Sequence, residues 1–381
     1  MCSSDLVVHA VMLMGLIMSC HWPIALYQGT LIGAQRLVIA SIIGIVVTCI
    51  SCIGAIAVLA FVSPTISAFF AWQACVAGIH VGCMRWGAWK AVGHSKNICF
   101  DGSELKRIWR FSAGMSGVTI SGLVLMQLDK VILSRILTLE DFGRYMLAGA
   151  VASGLYIILT PTFNVLYPRL SSLVFREEAH KLISLYRTGT RLFSAVLFPI
   201  ATVAVFYSRH LLTLWTQDPS FAASTASVVS LFLIGTTLNG TMHFPYALQL
   251  ASGMARLPLI INIVLMIAMI PLTIIFALKY GAVGGAAAWA VLNVIYLVVG
   301  TCLTHRTLLK GFGTRWLFTD VGMPLGLSLF VIIGFGSIVN NSDLSYIAEL
   351  FAGVLFAVIA FFLIILFSPD LKEFIRHKFQ G

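Results

Sequence analysis

Apolar positions in this chain neither alternate nor follow a narrow helical stripe; they continue for about twenty residues at a time between short polar breaks. A run of roughly 20 apolar residues, wound as a helix, matches the hydrocarbon thickness of a bilayer. On that criterion eleven spans are predicted, near 7–32, 38–61, 65–86, 108–133, 144–166, 192–206, 226–249, 259–278, 284–302, 321–339 and 347–367. A closed β-barrel would need alternating strands, which are absent. The predicted fold class is all-α: a polytopic helical membrane protein whose backbone polar groups are satisfied inside each helix. Pro64, Pro161, Pro168, Pro199, Pro271 and Pro324 are expected at kinks or span ends. The pairs Gly29/Gly33, Gly281/Gly285 and Gly322/Gly326 have the small-residue spacing that permits close helix approach.

Composition removes the alternatives. The 381 residues are 59% hydrophobic and 10% charged, with a mean hydropathy of +0.98; soluble domains hold about 45–50% and about 25%. Water could not solvate the outside of such a chain, and disorder needs the opposite composition. The eight cysteines (2, 20, 49, 52, 75, 83, 99 and 302) fall mostly within apolar runs and are expected as buried apolar thiols. Cys49 and Cys52 have redox or metal spacing, but Ile50 and Ser51 simply continue a helix. The net charge of +10 is spread in short clusters between spans, so nucleic acid is not an expected partner.

Those clusters set an orientation. Arg36; Arg85, Lys90, Lys96, Lys106, Arg107 and Arg110; Arg169, Arg176, Lys181, Arg187 and Arg191; Arg256; Arg306, Lys310 and Arg315; and Lys372, Arg376 and Lys378 occupy one set of alternate loops. The other set holds only Lys130, Arg135, Arg144, Arg209 and Lys279, so 19 of 24 basic residues mark one side. That side is predicted to be cytoplasmic and includes the carboxyl terminus. With eleven spans, Met1 then falls on the far side, which no signal peptide explains.

An internal repeat bears on this. His21-Trp22-Pro23-Ile24-Ala25-Leu26 in the first span matches His243-Phe244-Pro245-Tyr246-Ala247-Leu248 in the seventh. Each is followed by Gly-x-x-Arg-Leu, at Gly33 to Leu37 and Gly253 to Leu257. A six-helix period places the first copy fourth in its lobe, so three helices are expected ahead of Met1. The expected organisation is a partial first lobe at 1–90 with three of six helices and a cytoplasmic linker at 91–107. A six-helix second lobe follows at 108–312, then two further helices and a tail at 313–381.

Two stretches then carry a family resemblance: Trp22 to Gly29 running on to Gly33-Ala34-Gln35-Arg36, and Phe111-Ser112-Ala113-Gly114 running on to Gln127-Leu128-Asp129-Lys130-Val131-Ile132-Leu133-Ser134. They continue through Leu139-Glu140-Asp141-Phe142-Gly143 and Tyr167-Pro168-Arg169-Leu170. This pattern resembles the polysaccharide and O-antigen flippases of the multidrug/oligosaccharidyl-lipid/polysaccharide exporter superfamily. The resemblance covers nearly the whole chain, from the family's fourth helix onward. It implies a two-lobed bundle in a bacterial plasma membrane that flips an undecaprenyl-diphosphate-linked oligosaccharide by alternating access. It further implies Na⁺ or H⁺ coupling without a cofactor, and polysaccharide polymerase and chain-length machinery as partners.

Such a headgroup crosses hydrocarbon only if a wet cleft satisfies it, since each unsatisfied polar group there costs several kcal/mol. Polar residues within spans are therefore the candidates. Asp129 and Lys130 come first, with Gln127 one turn behind and Arg135 beyond; the competing reading is a snorkelling interfacial pair. Arg36 and Arg169 sit at cytoplasmic helix ends, where phosphate binding competes with ordinary anchoring. Gln28, Asn164, His243 and Gln249 are candidates for the cleft lining, and Asn262 and Asn293 for a coupling-ion site; interhelical hydrogen bonding competes for each. Among the acidic residues only Asp129 is expected to be buried. No Gly-Lys pair supports a phosphate loop, no His-Glu-x-x-His supports zinc hydrolysis and no Asp-x-Asp occurs. Two alternatives stay open: a multidrug or other lipid exporter of the same superfamily, and a membrane glycan polymerase or ligase.

Overall fold

In a hydrocarbon solvent the helix is the economical solution for a continuous apolar run, because every backbone bond closes within the segment. The computed structural model describes residues 2–93, 102–309, 311–340, 346–368 and 371–372, and among these all regular structure is helical. Lys96, Cys99, Lys310, Arg376 and Lys378 lie outside the described residues. The chain divides into two compact units, Met1–Asp101 and Gly102–Gly381.

The first unit is three long helices: α1 (Cys2–Gly33), α2 (Leu37–Ala57) and α3 (Ile66–Val92). Gln35, at φ 57°, turns the chain from α1 into α2, and the Thr65 hydroxyl accepts from the Ala68 N–H to cap α3. Leu31, Ile24, Met84 and Ala88 form its small core. Gly29 and Gly33 face open space within this unit, so the spacing that suggested close packing is not used there. The close approach is at Gly54 instead, which lies under the indole of Trp72. That indole donates to the Ser51 carbonyl at 3.2 Å, and the Ser51 hydroxyl donates to Gln73 at 2.7 Å. A methyl group at position 54 would occupy the ring's place and break the indole bond. Gly54→Ala is expected to lower stability by about 1–3 kcal/mol, read as a reduced melting temperature in detergent.

The second unit begins with α4 (Gly102–Ile136). The expected span 144–166 is instead two helices, α5 (Leu139–Ser153) and α6 (Tyr156–Phe175), bent by 44° at Gly154 and Leu155. Pro161 and Pro168 sit inside α6 without ending it. α7 (Ala179–Phe206) extends the short sequence-predicted span 192–206 backwards by an amphipathic half that carries Arg187 and Arg191. It is the most buried of the long apolar helices of this unit among the described residues. The short α8 (Ser208–Thr216) follows, then α9 (Pro219–Thr241), capped by Asp218. The Asp218 carboxylate accepts from the Ser220 and Phe221 N–H groups, which holds its pKa below the ordinary range.

α10 (His243–Ala251) leads to α11 (Arg256–Ile295), part of a 53-residue apolar stretch. At ~1.5 Å per residue that stretch is far longer than a ~30 Å hydrocarbon core. It folds back at Gly281, where φ is 59° and ψ −136°, and Gly284 lies against the Phe276 carbonyl. Only glycine adopts that backbone readily. The two limbs correspond to the expected spans 259–278 and 284–302. A π-helical turn (Tyr296–Gly300), α12 (Thr301–Leu308) and α13 (Gly313–Arg315) follow. A second π-helical stretch, Trp316–Gly322, enters α14 (Met323–Asn340), and α15 (Tyr346–Phe367) packs with α14 against α7. The unit's core, with Leu159, Leu197, Phe198, Phe244 and Met269 essentially inaccessible, surrounds the middle of α7 and α9.

The thiols correct the sequence reading. The described cysteines with placed side chains (20, 49, 52, 75, 83 and 302) are free and exposed or half-exposed. The apolar character of their neighbours therefore does not bury them within the described residues.

Candidate functional site

α4 brings Asp129 against α5, and the pair is buried: Asp129 is 3% exposed and Tyr145 inaccessible. The Thr138 hydroxyl caps α5 by accepting from the Asp141 N–H at 3.2 Å, fixing the helix that carries Tyr145. The Tyr145 hydroxyl donates to Asp129 Oδ2 at 2.5 Å, while its ring rests on Phe232 at 4.8 Å. Asp129 Oδ1 has no hydrogen-bond partner among the described residues. A buried carboxylate with half its acceptor capacity unused is costly unless something else engages it.

Asp129 lines a cavity of about 290 Å³ together with Lys130, Ser153, Tyr156, Thr236 and Trp289. The Lys130 ammonium folds back on its own helix, donating to Gln127 Oε1 at 2.9 Å and the Met126 carbonyl at 3.2 Å. Acid and base therefore meet one cavity from adjacent positions: the acid is fixed by a phenol, and the base is held half-exposed by an amide.

A second cavity of about 280 Å³ shares Met126 and Trp289 with the first. Asn239, His243, Tyr246, Asn262 and Tyr296 line it. Its amides are held in place from neighbouring helices. Asn262 donates to the Ser121 hydroxyl at 3.0 Å; Asn239 donates to Asn293 Oδ1 at 2.9 Å, and Asn293 donates to the Trp289 carbonyl at 2.9 Å. His243 Nδ1 lies 3.3 Å from the Asn239 carbonyl, with its ring edge-on to Phe163. Phe163 in turn stacks with Tyr246 at 5.6 Å and Tyr167 at 5.8 Å. The two cavities make one stripe of carboxylate, ammonium, amides and aromatic faces within an apolar helical unit. Fixed amides satisfy hydroxyls and aromatic faces take the apolar side of a ring, which suits a sugar.

The other sequence candidates in the second unit do not line either cavity, and Gln28 and Arg36 belong to the first unit. Gln127 is exposed and acts on Lys130; Arg135 is exposed at the end of α4. Asn164 is half-buried on α6 outside both cavities. Gln249 is inaccessible and donates to the Thr304 hydroxyl at 2.6 Å, so it ties α10 to α12. Arg169 is exposed beside an apolar depression between α6 and α7. Gln28 and Arg36 are exposed in the first unit.

Three buried features were not foreseen. Asp129 is not the single buried acid: Asp320 is inaccessible and Glu349 is 6% exposed. Arg187 Nε donates to Asp320 Oδ2 at 3.0 Å, and Arg191 Nε to Oδ1 at 2.5 Å. Nearby, the Tyr186 hydroxyl meets His305 Nε2 at 3.0 Å and Trp316 donates to the Thr190 hydroxyl at 3.1 Å. Elsewhere, His210 Nε2 lies 2.9 Å from Glu349 Oε2, joining α8 to α15. The available signal was the four-residue spacing of Arg187 and Arg191, which puts two cations on one face of α7 and calls for an acid.

Sequence comparison with known proteins gives the family. Residues 5–217 match the family model described as "Polysaccharide biosynthesis protein". A curated relative, "Putative O-antigen transporter" of Shigella flexneri, is 22% identical over 223 residues, covering 58% of this chain and 49% of the relative. The chain thus spans about half the length of the curated relative it matches. The family match takes in Asp129, Lys130, Tyr145 and Arg169 and covers more than half of the chain. On that match, the chain belongs to the polysaccharide biosynthesis protein family.

Proposed function

We propose that this chain serves the transport of a lipid-linked oligosaccharide, an undecaprenyl-diphosphate-linked glycan, from the inner to the outer leaflet of a bacterial plasma membrane. The observation that carries the reading is the polar stripe itself. Asp129, Lys130, Asn239, His243 and Asn262 line two cavities that share Met126 and Trp289 inside a unit built of largely apolar helices. Such groups are expensive in a membrane and are retained there for pathways and binding sites. A glycan passing along the stripe exchanges water for amides and aromatic faces, while its hydrocarbon tail stays in lipid and its phosphate is drawn to cations such as Lys130. The relative's name and the family description support the same substrate class. Coupling to Na⁺ or H⁺ and hand-over to a polymerase with its chain-length machinery belong to this proposal, as does a cytoplasmic carboxyl terminus, which the 19-of-24 bias in basic residues supports. No chemistry on substrate bonds is invoked, so the role is non-enzymatic.

The test is complementation of a strain lacking the gene. The intact gene should restore surface glycan, and Lys130→Ala should fail to do so at wild-type membrane abundance, with lipid-linked glycan accumulating on the cytoplasmic face. Unchanged leaflet distribution in the deletion strain would sink the reading. Full complementation by Lys130→Ala would return that residue to an interfacial anchor.

A further inference from the structure

α14 and α15 hold one charged residue between them, Glu349. It stands in the first turn of α15, is 6% exposed, and its Oε2 lies 2.9 Å from His210 Nε2 on α8. The packing around the pair is made by small residues. A Cβ at Gly353, one turn further along α15, would lie 2.9 Å from Tyr207 Cε2 and 3.1 Å from Val203 Cγ1. Glycine there lets α15 come close enough for Glu349 to reach α8. Gly336 does the same for α14, where a Cβ would lie 3.0 Å from the Phe206 ring. α8 is tied to α9, since the Ser208 and Ser230 hydroxyls meet at 2.9 Å. The inaccessible Tyr207 ring lies edge-on to the His210 imidazole at 5.8 Å.

The other ionisable groups at this junction are few. Tyr207 is a neutral phenol whose hydroxyl has no hydrogen-bond partner among the described residues, and Arg209 is exposed on α8. α9, α14 and the stretch of α7 from Val196 to Phe206 carry no titratable side chain, and Asp218 caps α9 at the far end of α8. Asp343 and the side chain of Tyr346 lie outside the described residues. A carboxylate as buried as Glu349 is stable as an ion only beside a cation. Imidazole is a cation only after taking up a proton, and histidine is the side chain that does so between about pH 5 and 8. With one proton held between them the two groups are neutral together. Without it, a buried negative charge faces a neutral ring, and the less costly arrangement admits water by moving the first turns of α15 away from α8. The His210 side chain is 17% exposed, which leaves the proton a way in and out. We infer that His210 and Glu349 form a proton-binding site that latches the start of α15 to α8, closed when the proton is bound and released when it leaves.

Arg209, the neighbour of His210, belongs to the sparsely basic set of loops, so on the orientation proposed above the latch faces the side opposite the carboxyl terminus. Acidification on that side closes it. The folded pair keeps a proton that the unfolded chain gives up at neutral pH, so its stabilisation is present at low pH and is lost as pH rises. Nothing in the latch depends on what the chain transports.

The purified full chain in detergent is melted at about pH 6 and about pH 8, beside Glu349→Gln and His210→Arg. The wild type should melt higher at the lower pH, by about 2–4 °C more than Glu349→Gln does. Arginine keeps its charge at both pH values, so His210→Arg should lose the same pH-dependent excess. Hydrogen exchange across 346–356, compared after allowing for the intrinsic change of rate with pH, locates the effect. That segment should be protected at pH 6 and open at pH 8 in the wild type, and protected at both in His210→Arg. An equal pH difference in the wild type and Glu349→Gln would overturn the latch. So would a wild-type segment equally protected at both pH values, or one that still opens at pH 8 in His210→Arg. The wild-type exchange with either variant decides the matter should the other fail to fold.

Discussion

Asp129→Asn is expected to abolish glycan export while leaving the protein in the membrane at its wild-type level. Asparagine keeps the size of the side chain, and its carbonyl can still accept from the Tyr145 hydroxyl, so the α4–α5 contact survives. What disappears is the carboxylate's ability to carry charge or exchange a proton at the oxygen that has no hydrogen-bond partner among the described residues. A hydrogen bond to a charged group is worth about 1.5–3 kcal/mol, or roughly ten- to a hundredfold in a binding equilibrium. A loss of that size at a required step should leave surface glycan near the level of the deletion strain. Tyr145→Phe supplies the complementary case: the charge stays but loses its phenolic donor, so export should fall while abundance falls too. Surface glycan on gels, read beside immunoblots of isolated membranes, separates the two. Full complementation by Asp129→Asn would show that the buried carboxylate is packing and not machinery.

Much of the fold was legible because a bilayer imposes length. Continuous apolar runs locate spans whatever their neighbours do, and the hairpin at Gly281 follows from a stretch too long for one crossing. The bend in 144–166 was not legible, because its residues are as apolar as a straight span would be; only packing against α9, where Tyr145 meets Phe232, shows why α5 turns away. The site was half legible. Asp129 and Lys130 stand out because charge within a span is rare, whereas Asn239, Tyr246, Trp289 and Tyr296 are ordinary residues for helix packing. Their convergence on one cavity is a property of three dimensions. Asp320 was hidden for a different reason. It lies one residue before the apolar run at 321–339 and beside basic residues that orientation statistics already explain.

Asp320→Ala is expected to impair folding rather than transport as such. Asp320 is inaccessible, and it accepts from both Arg187 and Arg191, with the Thr319 hydroxyl adding a third donor at 3.0 Å. The arginine side chains are themselves only 17% and 10% exposed, so neither is well hydrated. Deleting the carboxylate leaves two largely buried cations beside each other on one face of α7. Breaking a buried pair in this way typically costs about 3–5 kcal/mol, a large share of the ~5–15 kcal/mol that holds a folded domain together. The effect should be strongest where the π-helical stretch Trp316–Gly322 delivers α14 to α7, because Asp320 is the charged tie there; the Trp316–Thr190 hydrogen bond and an apolar cluster of Val331, Ile332, Phe356 and Ala360 from α14 and α15 are what remain. Reduced membrane abundance and a lower melting temperature in detergent are the expected readouts. A well-packed apolar replacement of a buried ion pair can be neutral, so a variant with Asp320→Leu, Arg187→Met and Arg191→Met should be more stable than Asp320→Ala alone. An Asp320→Ala protein that melts at the wild-type temperature would show that the two guanidinium groups are held by something other than this carboxylate.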